Sequence, residues 1–368
     1  MPKKMRLKCV CMILTGVIIF LLLQQQKTLD WAFIINNATS TQNAPALFTE
    51  TPLTTDQPYN HASSLIVQEN NPNVVWVGGQ RELGNVSIYH ANNDNMALPL
   101  FNKDLIEHAE SRFIYSIGNP IIVFYHNELW LFFTSTIGGW STASINFMIS
   151  KDQGATWSAP KQLILSPLIN ITNNLKGAPV FFEDGTLGLP IYSEFGSNSA
   201  KLLRMDSEGH VLSLQRISWD RCTIEPFVIP MNTKTAYALL RPMNCAQKKA
   251  VITATFDGGQ SWQPLGFSVL PNDSNEISGV NMDGSHILAA FNNAPQGRSN
   301  LSFAILDTKL QPLCIIPFKD KHNGNYAYPY LLHQDGKYWM SFTNEHQIGL
   351  VHFNDTWLKQ EWQKCIKP

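Results

Sequence analysis

Short apolar segments of strand length recur along the chain and are separated by polar turns. Residues 145–149 and 251–254 are clear examples of the segments, and Asp184-Gly185 is typical of the turns. Strand, turn, strand, turn is the pattern of antiparallel sheets. The pattern therefore predicts an all-β protein with few helices, the best helical segment being residues 101–111.

Two of the turns share an eight-residue motif, S/T-x-D-x-G-x-S/T-W. The first copy is residues 150–157 and the second is residues 255–262. In such a turn we expect the aspartate to accept bonds from backbone N–H groups, a glycine to adopt a positive φ and the tryptophan to cover the corner. Asp152 and Asp257 are therefore predicted to be structural and not catalytic.

Weaker versions of this aspartate turn follow other predicted strands. Successive turns lie about fifty residues apart. Six units of that length predict a six-bladed β-propeller, in which each unit forms one antiparallel sheet. The four weaker turns are at Asp94, Asp206, Asp307 and Asp355.

The N-terminal region is predicted to lie outside the propeller. Residues 1–23 hold a basic stretch followed by an apolar run at residues 9–23, which indicates an uncleaved signal anchor or a cleaved signal peptide. Residues 24–58 are polar and are interpreted as a stem, with a short edge strand near residues 46–49. Residues 59–368 would form the propeller, which we expect outside the cytoplasm, attached to a membrane or secreted.

Four cysteines remain for an exported domain. Cys222 and Cys245 flank a predicted hairpin at nearly equal distance from its turn, so we expect them to form a disulfide. A pair of Cys314 and Cys365 follows by elimination, and unpaired thiols are the alternative.

The composition narrows the range of partners. The net charge is −1 and 15% of the residues are charged, so there is no basic surplus for nucleic acid. The sequence has no histidine and cysteine spacing typical of a metal site and no glycine-rich phosphate loop before a helix. We therefore expect no metal and no cofactor, and a monomer.

A propeller binds its ligand on the axis, where the first strands and their loops converge. Polar residues at corresponding places in several units should therefore form one site. Four residues meet this description: Glu225, Arg241, Arg298 and Tyr328.

These four residues and the aspartate turns resemble the sialidase (neuraminidase) superfamily, and in particular its BNR-repeat-like branch. The resemblance covers residues 59–357. Glu225, in the motif I-E-P, precedes Arg241 by the spacing that the family uses for its glutamate and second arginine. Arg298 resembles the third arginine, and Tyr328, in Y-P-Y-L, resembles the catalytic tyrosine.

The resemblance implies an exo-glycosidase that removes terminal sialic acid, or a related acidic sugar, from glycans by a retaining mechanism. Tyr328 would be the nucleophile and Glu225 its base, with the two side chains within hydrogen-bond reach. Arg241 and Arg298 would bind the carboxylate of the substrate.

The first unit departs from the family pattern. Where the family has an arginine in R-I-P, this chain has His61 at or beside the place. Arg81 is a candidate replacement for that arginine, and Glu82 and His61 are candidates for the acid/base. Other units are expected to add pocket residues: Lys176, Glu194, Asn275, Glu276, Asn292 and His346.

Two alternatives to the glycosidase stay open, because propellers serve many functions. One is a glycan-binding propeller without turnover. The other is a hydrolase or lyase that cleaves uronic acids and uses His61.

Overall fold

The propeller predicted from the sequence is present. The structure, a computed structural model, describes residues 29–35, 44–53, 55–92, 97–166, 170–319 and 324–366. Residues Trp31–Pro368 form one compact unit. The predicted signal segment and parts of the predicted stem lie outside the described residues. No helix in the described ranges is long and apolar enough to cross a membrane.

The described residues form 25 strands in six antiparallel sheets, called blades one to six. Blade six begins the numbering, because its outer strand is β1 (Phe48–Leu53). Blade one holds β2 (Tyr59–Gln68), β3 (Asn71–Gly79), β4 (Val86–Ala91) and β5 (Leu98–Asn102). Blade two holds β6 (Ser116–Tyr125), β7 (Glu128–Thr136), β8 (Ala143–Ser150) and β9 (Lys161–Gln162). Blade three holds β10 (Asn174–Leu175), β11 (Val180–Phe181), β12 (Leu187–Ser193), β13 (Ser199–Met205) and β14 (Val211–Arg216).

The remaining blades follow the same order from the axis outward. Blade four holds β15 (Thr223–Pro230), β16 (Ala236–Pro242), β17 (Lys249–Thr255) and β18 (Gln263–Pro271). Blade five holds β19 (Ser278–Asn281), β20 (Ile287–Asn292), β21 (Leu301–Leu306) and β22 (Pro312–Lys319). Blade six holds β23 (Tyr326–Gln334), β24 (Lys337–Asn344), β25 (Gln347–Asn354) and β1. Strand β2 contacts both β6 and β23, so blade one joins its neighbours on both sides.

Blade six closes the ring by pairing the two ends of the chain. β1 runs antiparallel to β25, with Phe48 opposite Phe353 and Leu53 opposite Ile348. The sequence interpretation placed these β1 residues in the stem, with an edge strand slightly earlier. The structure instead makes them the fourth strand of a blade, because the last sheet needs an outer strand that the C-terminal part of the chain does not supply.

A second N-terminal segment, residues 31–35, also packs on the propeller. The ring of Phe33 lies 4.9 Å from that of Phe182 in blade three, and the N–H of Ile34 donates to the carbonyl of Phe181 at 2.8 Å. Part of the predicted stem is therefore in contact with the domain.

The two strong aspartate turns have the predicted structure. Asp152 accepts from the hydroxyl of Ser150 at 2.8 Å and from the N–H of Thr156 at 2.8 Å. These bonds hold the pKa of Asp152 at about 2, led by the Thr156 hydroxyl. Asp257 makes the corresponding bonds to Thr255 and Ser261. Both aspartates are structural, as expected.

Only some of the four weaker aspartate turns have the predicted structure. Asp206 and Asp307 each accept from backbone N–H groups two and four residues later. Asp94 lies outside the described residues. Asp355 does not form a turn, because it begins helix α2 (Asp355–Ile366), which the side chain of Asn354 caps by accepting from the N–H of Trp357. Helix α1 (Lys103–Glu110) lies within the predicted segment.

Both expected disulfides are present. Cys222 and Cys245 have Cα atoms 5.1 Å apart and link the start of β15 to the segment after β16. Cys314 and Cys365, paired only by elimination, have Cα atoms 5.7 Å apart and tie α2 to β22. The unpaired-thiol alternative is therefore wrong for the structure.

Candidate functional site

A bulge recurs in the innermost strands of four blades. The strand pairing shifts register at corresponding places, and the bulged residue has a positive φ between 46° and 56°. Positive φ in a residue other than glycine costs about 1–3 kcal/mol, and such strain clusters at functional sites. The four residues are Ala62, Asn119, Glu225 and Tyr328, and proline follows three of them.

The four bulged residues meet at one cavity of about 280 Å³ at the axis. Loops and strands of several blades complete its wall. The lining residues with polar or aromatic side chains are Tyr59, His61, Glu82, Asn119, Trp140, Tyr192, Glu194, Glu225, Arg241, Arg298 and Tyr328.

Arg241 joins the glutamate of blade four to the tyrosine of blade six. Its Nη1 donates to both carboxylate oxygens of Glu225 at 2.9 Å and to the hydroxyl of Tyr328 at 3.3 Å. In the described part of the chain, no hydrogen bond joins Tyr328 directly to Glu225, contrary to the sequence prediction, because Arg241 lies between the two groups. The three side chains converge as expected, although the arginine links them.

The environment keeps the Tyr328 phenol protonated at neutral pH. Burial, and then the charge of Glu225, raise its pKa to about 12, while Arg241 and Arg298 act in the opposite direction. A phenol with this pKa needs a base before it can act as a nucleophile. Glu225 is the nearby carboxylate that shares a contact with it.

Arg298 approaches the same tyrosine from blade five. Its guanidinium carbon lies 5.5 Å from the centre of the Tyr328 ring, and its Nε donates to Oδ1 of Asn275 at 3.3 Å. The backbone carbonyl of Arg298 accepts from the N–H of Tyr326, next to the bulge of blade six. Both arginines predicted for a substrate carboxylate therefore flank Tyr328.

Asn292 has a supporting position and is not among the lining residues. Its amide nitrogen donates to the carbonyls of Ser299 and Tyr326 at 3.2 and 3.1 Å. These bonds hold the Arg298 loop against β23.

Blade one supplies a neutral side chain where the family has an arginine. His61 is buried, and its ring centre lies 4.5 Å from that of Tyr328 in an edge-on contact. Burial, followed by the charges of Arg298 and Lys176, lowers the pKa of His61 well below its usual value. His61 is therefore uncharged at neutral pH.

Arg81 and Glu82 of blade one differ in their position relative to the cavity. Glu82 lines the cavity, whereas Arg81 is exposed and does not line it. Within the described part of the chain, no ion pair joins these two neighbours. Glu82 is thus the carboxylate that blade one contributes to the cavity.

Blade three contributes two lining residues, Tyr192 and Glu194, and the buried Lys176. Glu194 lines the cavity, and burial followed by the charge of Glu225 raises its pKa. Lys176 is fully buried and does not line the cavity; its Nζ lies 3.7 Å from Oε2 of Glu276. His346 is exposed, with its ring centre 6.5 Å from that of His61.

Several lining residues were not identified from the sequence. Asn119 stands in G-N-P, which matches I-E-P around Glu225, so the shared X-Pro pattern was a usable signal. Its amide nitrogen donates to the hydroxyl of Tyr192 at 3.4 Å. Trp140 had no such signal, because it begins a short 3-10 helix (Trp140–Thr142) whose place depends on packing over Gly118, where a Cβ would come within 2.4 Å of the indole.

The described residues contain no group of three histidine, cysteine or acidic side chains placed to hold a metal ion.

Comparisons with known proteins agree with this architecture. Residues 73–340 match the family model described as the BNR repeat-like domain. A search of curated protein sequences finds no match.

Solved sialidase structures share the fold at low sequence identity. A Hadza microbial sialidase has a TM-score of 0.66 at 13% identity, with 82% of this chain and 66% of that chain covered. The NanB sialidase of Streptococcus pneumoniae has a TM-score of 0.63 at 10% identity, with 89% and 71% covered. A Trypanosoma rangeli sialidase mutant displaying trans-sialidase activity has a TM-score of 0.61 at 13% identity, with 90% and 59% covered.

The Hadza sialidase and the Trypanosoma rangeli mutant are longer than this chain, which spans 66% and 59% of their lengths. At 10–14% identity the likeness establishes the fold. The family model, which covers more than half of the chain, establishes membership. The chain belongs to the BNR repeat-like domain family and has the six-bladed propeller fold of sialidases.

Proposed function

We propose that the protein is an exo-glycosidase of the sialidase type, which removes terminal sialic acid or a related acidic sugar from glycans with retention of configuration. The observation that carries the proposal is the cluster of Glu225, Arg241 and Tyr328 in the axial cavity. The cavity volume of about 280 Å³ lies just below the range of about 300–1,000 Å³ for ligand pockets. That size suits one terminal sugar residue and not an internal stretch of a glycan.

In this proposal Tyr328 is the nucleophile. Its phenol gives its proton to Glu225 while the oxygen bonds to the anomeric carbon and the glycosidic C–O bond breaks. Arg241 contacts both groups, so it stabilises charge on either oxygen as the proton moves. A neutral phenol also avoids the repulsion that a carboxylate nucleophile would meet from an acidic sugar.

Glu82 is the proposed acid/base. It is the carboxylate of blade one that lines the cavity, and it would give a proton to the leaving oxygen and later take one from water. The water then breaks the bond between the sugar and Tyr328, and Glu225 returns the phenolic proton. His61 is less suited to donate, because its pKa is held well below its usual value.

The substrate carboxylate is assigned to Arg298 and Arg241. Both guanidinium groups lie beside Tyr328. Arg241 is already paired with Glu225, whereas no carboxylate within the described ranges forms an ion pair with Arg298. Arg298 is therefore the more available partner for a bidentate bond.

The direct test is hydrolysis of a fluorogenic α-sialoside and a panel of uronosides by the purified protein. We expect release of the sialoside fluorophore by the wild type and none by Tyr328→Phe. Tyr115→Phe is the matched control, because Tyr115 is an exposed tyrosine away from the cavity lining. Initial product of inverted configuration would contradict the Tyr328 mechanism.

One observation favours a second candidate, a glycan-binding propeller or a glycosidase for uronic acids. Blade one offers Ala62 and the neutral His61 in place of the family's first arginine. A clamp of two arginines holds a carboxylate less firmly than a clamp of three. Uronoside turnover, or sialoside binding without turnover, would support this candidate.

We also propose that the propeller acts outside the cytoplasm, exported or anchored by residues 1–23. Two disulfides support this, since disulfides persist in oxidising compartments. Fractionation of cells that express the full chain tests it, and a purely cytoplasmic product with free thiols would contradict it.

A further inference from the structure

A buried charged pair lies beside Tyr328 and outside the cavity lining. Lys176, just after β10, and Glu276, just before β19, have side chains that are 0% and 2% exposed. Their charged atoms are 3.7 Å apart. The Nζ of Lys176 lies 4.8 Å from the centre of the Tyr328 ring. The pair comes from blades three and five, so the fold alone brings it to the tyrosine of blade six.

The pair lacks the bonds that usually accompany buried charge. Among the described residues, the Nζ of Lys176 and both carboxylate oxygens of Glu276 have no hydrogen-bond partner. Charges held this way gain little stability over apolar residues of the same size. Burial raises the pKa of Glu276 above its usual value, and the charge of Lys176 opposes that rise. Stability of the fold therefore does not explain why these residues are charged.

The surroundings of Tyr328 suggest an explanation. Three cations contact it: Arg241 at the hydroxyl, and Arg298 and Lys176 at the ring. A cation against an aromatic ring is attracted to it, and the attraction grows as the ring gains negative charge. The ammonium of Lys176 is thus placed to stabilise the phenolate of Tyr328.

Negatively charged and uncharged side chains also surround the phenol of Tyr328. Glu225 and Glu276 raise its pKa. His61, whose pKa is held low, contacts the ring edge-on. Tyr59 and Tyr192 also interact electrostatically with Tyr328, and their own pKa values are raised chiefly by burial. Of the two members of the buried pair, Lys176 is the one in contact with the ring.

We propose that Lys176 and Glu276 are positioning residues for Tyr328. Lys176 stabilises the phenolate from the ring, and Glu276 holds the ammonium in place and limits its effect. In this proposal Lys176 is not a substrate ligand, although the sequence analysis predicts it as a pocket residue. The inference rests on the proposed function in taking Tyr328 as the nucleophile.

The test measures the reactivity of Tyr328 without any sugar. The full chain is treated with N-acetylimidazole, which acylates phenolate oxygens, and the initial rate at Tyr328 is followed by peptide mass spectrometry. The rate at Tyr115, which is 38% exposed, is the internal reference in the same sample. The variants are Lys176→Met, Glu276→Gln and the double variant, and thermal unfolding of each is recorded.

The variants should change the rate in opposite directions. Lys176→Met should slow acylation of Tyr328 by about tenfold, the effect of one pKa unit on the phenolate fraction. Glu276→Gln should accelerate it by about threefold, since a carboxylate near the phenol is removed. The double variant should regain the thermal stability that either single variant loses, because no buried charge is left alone. Its acylation should still be about threefold slower than in the wild type, because the contact at the ring is gone.

An unchanged ratio of Tyr328 to Tyr115 in the double variant would overturn the proposal and leave a buried pair with no role at the phenol. The proposal would also be overturned if Lys176→Met and Glu276→Gln changed this ratio in the same direction. Because the double variant retains no lone charge, it decides the matter even if a single variant does not fold. A protein that fails to hydrolyse sialosides but shows these shifts would overturn the proposed function and not this inference.

Discussion

Blades four and one share a backbone bulge at the axis but place different side chains there, charged in blade four and uncharged in blade one. In each, the inner strand bulges at a residue of positive φ, Glu225 at 49° and Ala62 at 56°. The residue before the bulge pairs with the second strand of its blade, which places Arg241 opposite Ile224 and Val77 opposite His61. At these positions blade four therefore brings an ion pair to the cavity, and blade one brings an alanine, a valine and an uncharged histidine.

The repeat therefore fixes the positions of the side chains at the cavity and not their chemical roles. The bulge turns a side chain into the cavity in four blades whatever that side chain is. The two arginines of the lining, Arg241 and Arg298, consequently lie on the side of blades four to six beside Tyr328, whereas blades one and three add the carboxylates of Glu82 and Glu194. An acidic ligand should bind with its carboxylate toward that side. The following predictions test this asymmetry.

The largest effect is expected at Tyr328. Tyr328→Phe removes the nucleophilic oxygen and leaves the ring, so kcat should fall on the order of 10³-fold or more while the fold is retained. Turnover of a fluorogenic sialoside and far-ultraviolet circular dichroism measure the two properties. Retention of more than a tenth of the activity would assign the nucleophile elsewhere.

A large loss of stability is expected on breaking the pair of blade four. Glu225→Gln leaves the largely buried guanidinium of Arg241 without a countercharge, and the loss of one partner of a buried pair costs about 3–5 kcal/mol. Urea denaturation of the variant gives the free energy of unfolding. Glu82→Gln in blade one is the control and should change it by less than about 0.5 kcal/mol, because Glu82 is exposed.

A smaller effect separates the arginines of the two blades. Arg241→Ala should weaken binding of an acidic sugar by about 1.5–3 kcal/mol more than binding of its neutral analogue, since one charge-assisted bond is lost. Arg81→Ala should show no such difference, because Arg81 does not line the cavity. Calorimetric titration with both ligands measures it. Equal losses for the two ligands in Arg241→Ala would remove this residue from the carboxylate site.

The smallest effect concerns pH and His61. Its pKa is lowered in the folded state, so below about pH 6.5 the unfolded chain binds a proton that the folded one does not. The stability contributed by neutral His61 is thus present above that pH and lost as the pH falls, at up to about 1.4 kcal/mol per pH unit. His61→Gln should flatten the dependence of the unfolding free energy on pH relative to the wild type. An identical slope would mean that His61 accepts a proton without cost.

The site was predictable where its geometry is local. Glu225 and Arg241 lie on neighbouring strands of one hairpin, so their spacing in the sequence is enough to bring them together, and Cys222 and Cys245 follow from the same hairpin. The place of Tyr328 depended on the repeat, which put the motif Y-P in register with I-E-P. The link through Arg241 was not predictable, because it depends on how blades four and six approach one another.

Local sequence patterns were enough to predict the strands, the two strong aspartate turns and the proximity of Glu225 and Arg241, because each depends on bonds within a turn or a hairpin. Tertiary structure alone decided that β1 completes blade six, that Asp355 begins a helix and that Lys176 is buried beside Tyr328 and does not face the cavity. These outcomes join residues far apart in the chain, and their free energy comes from packing between blades, which no local pattern encodes.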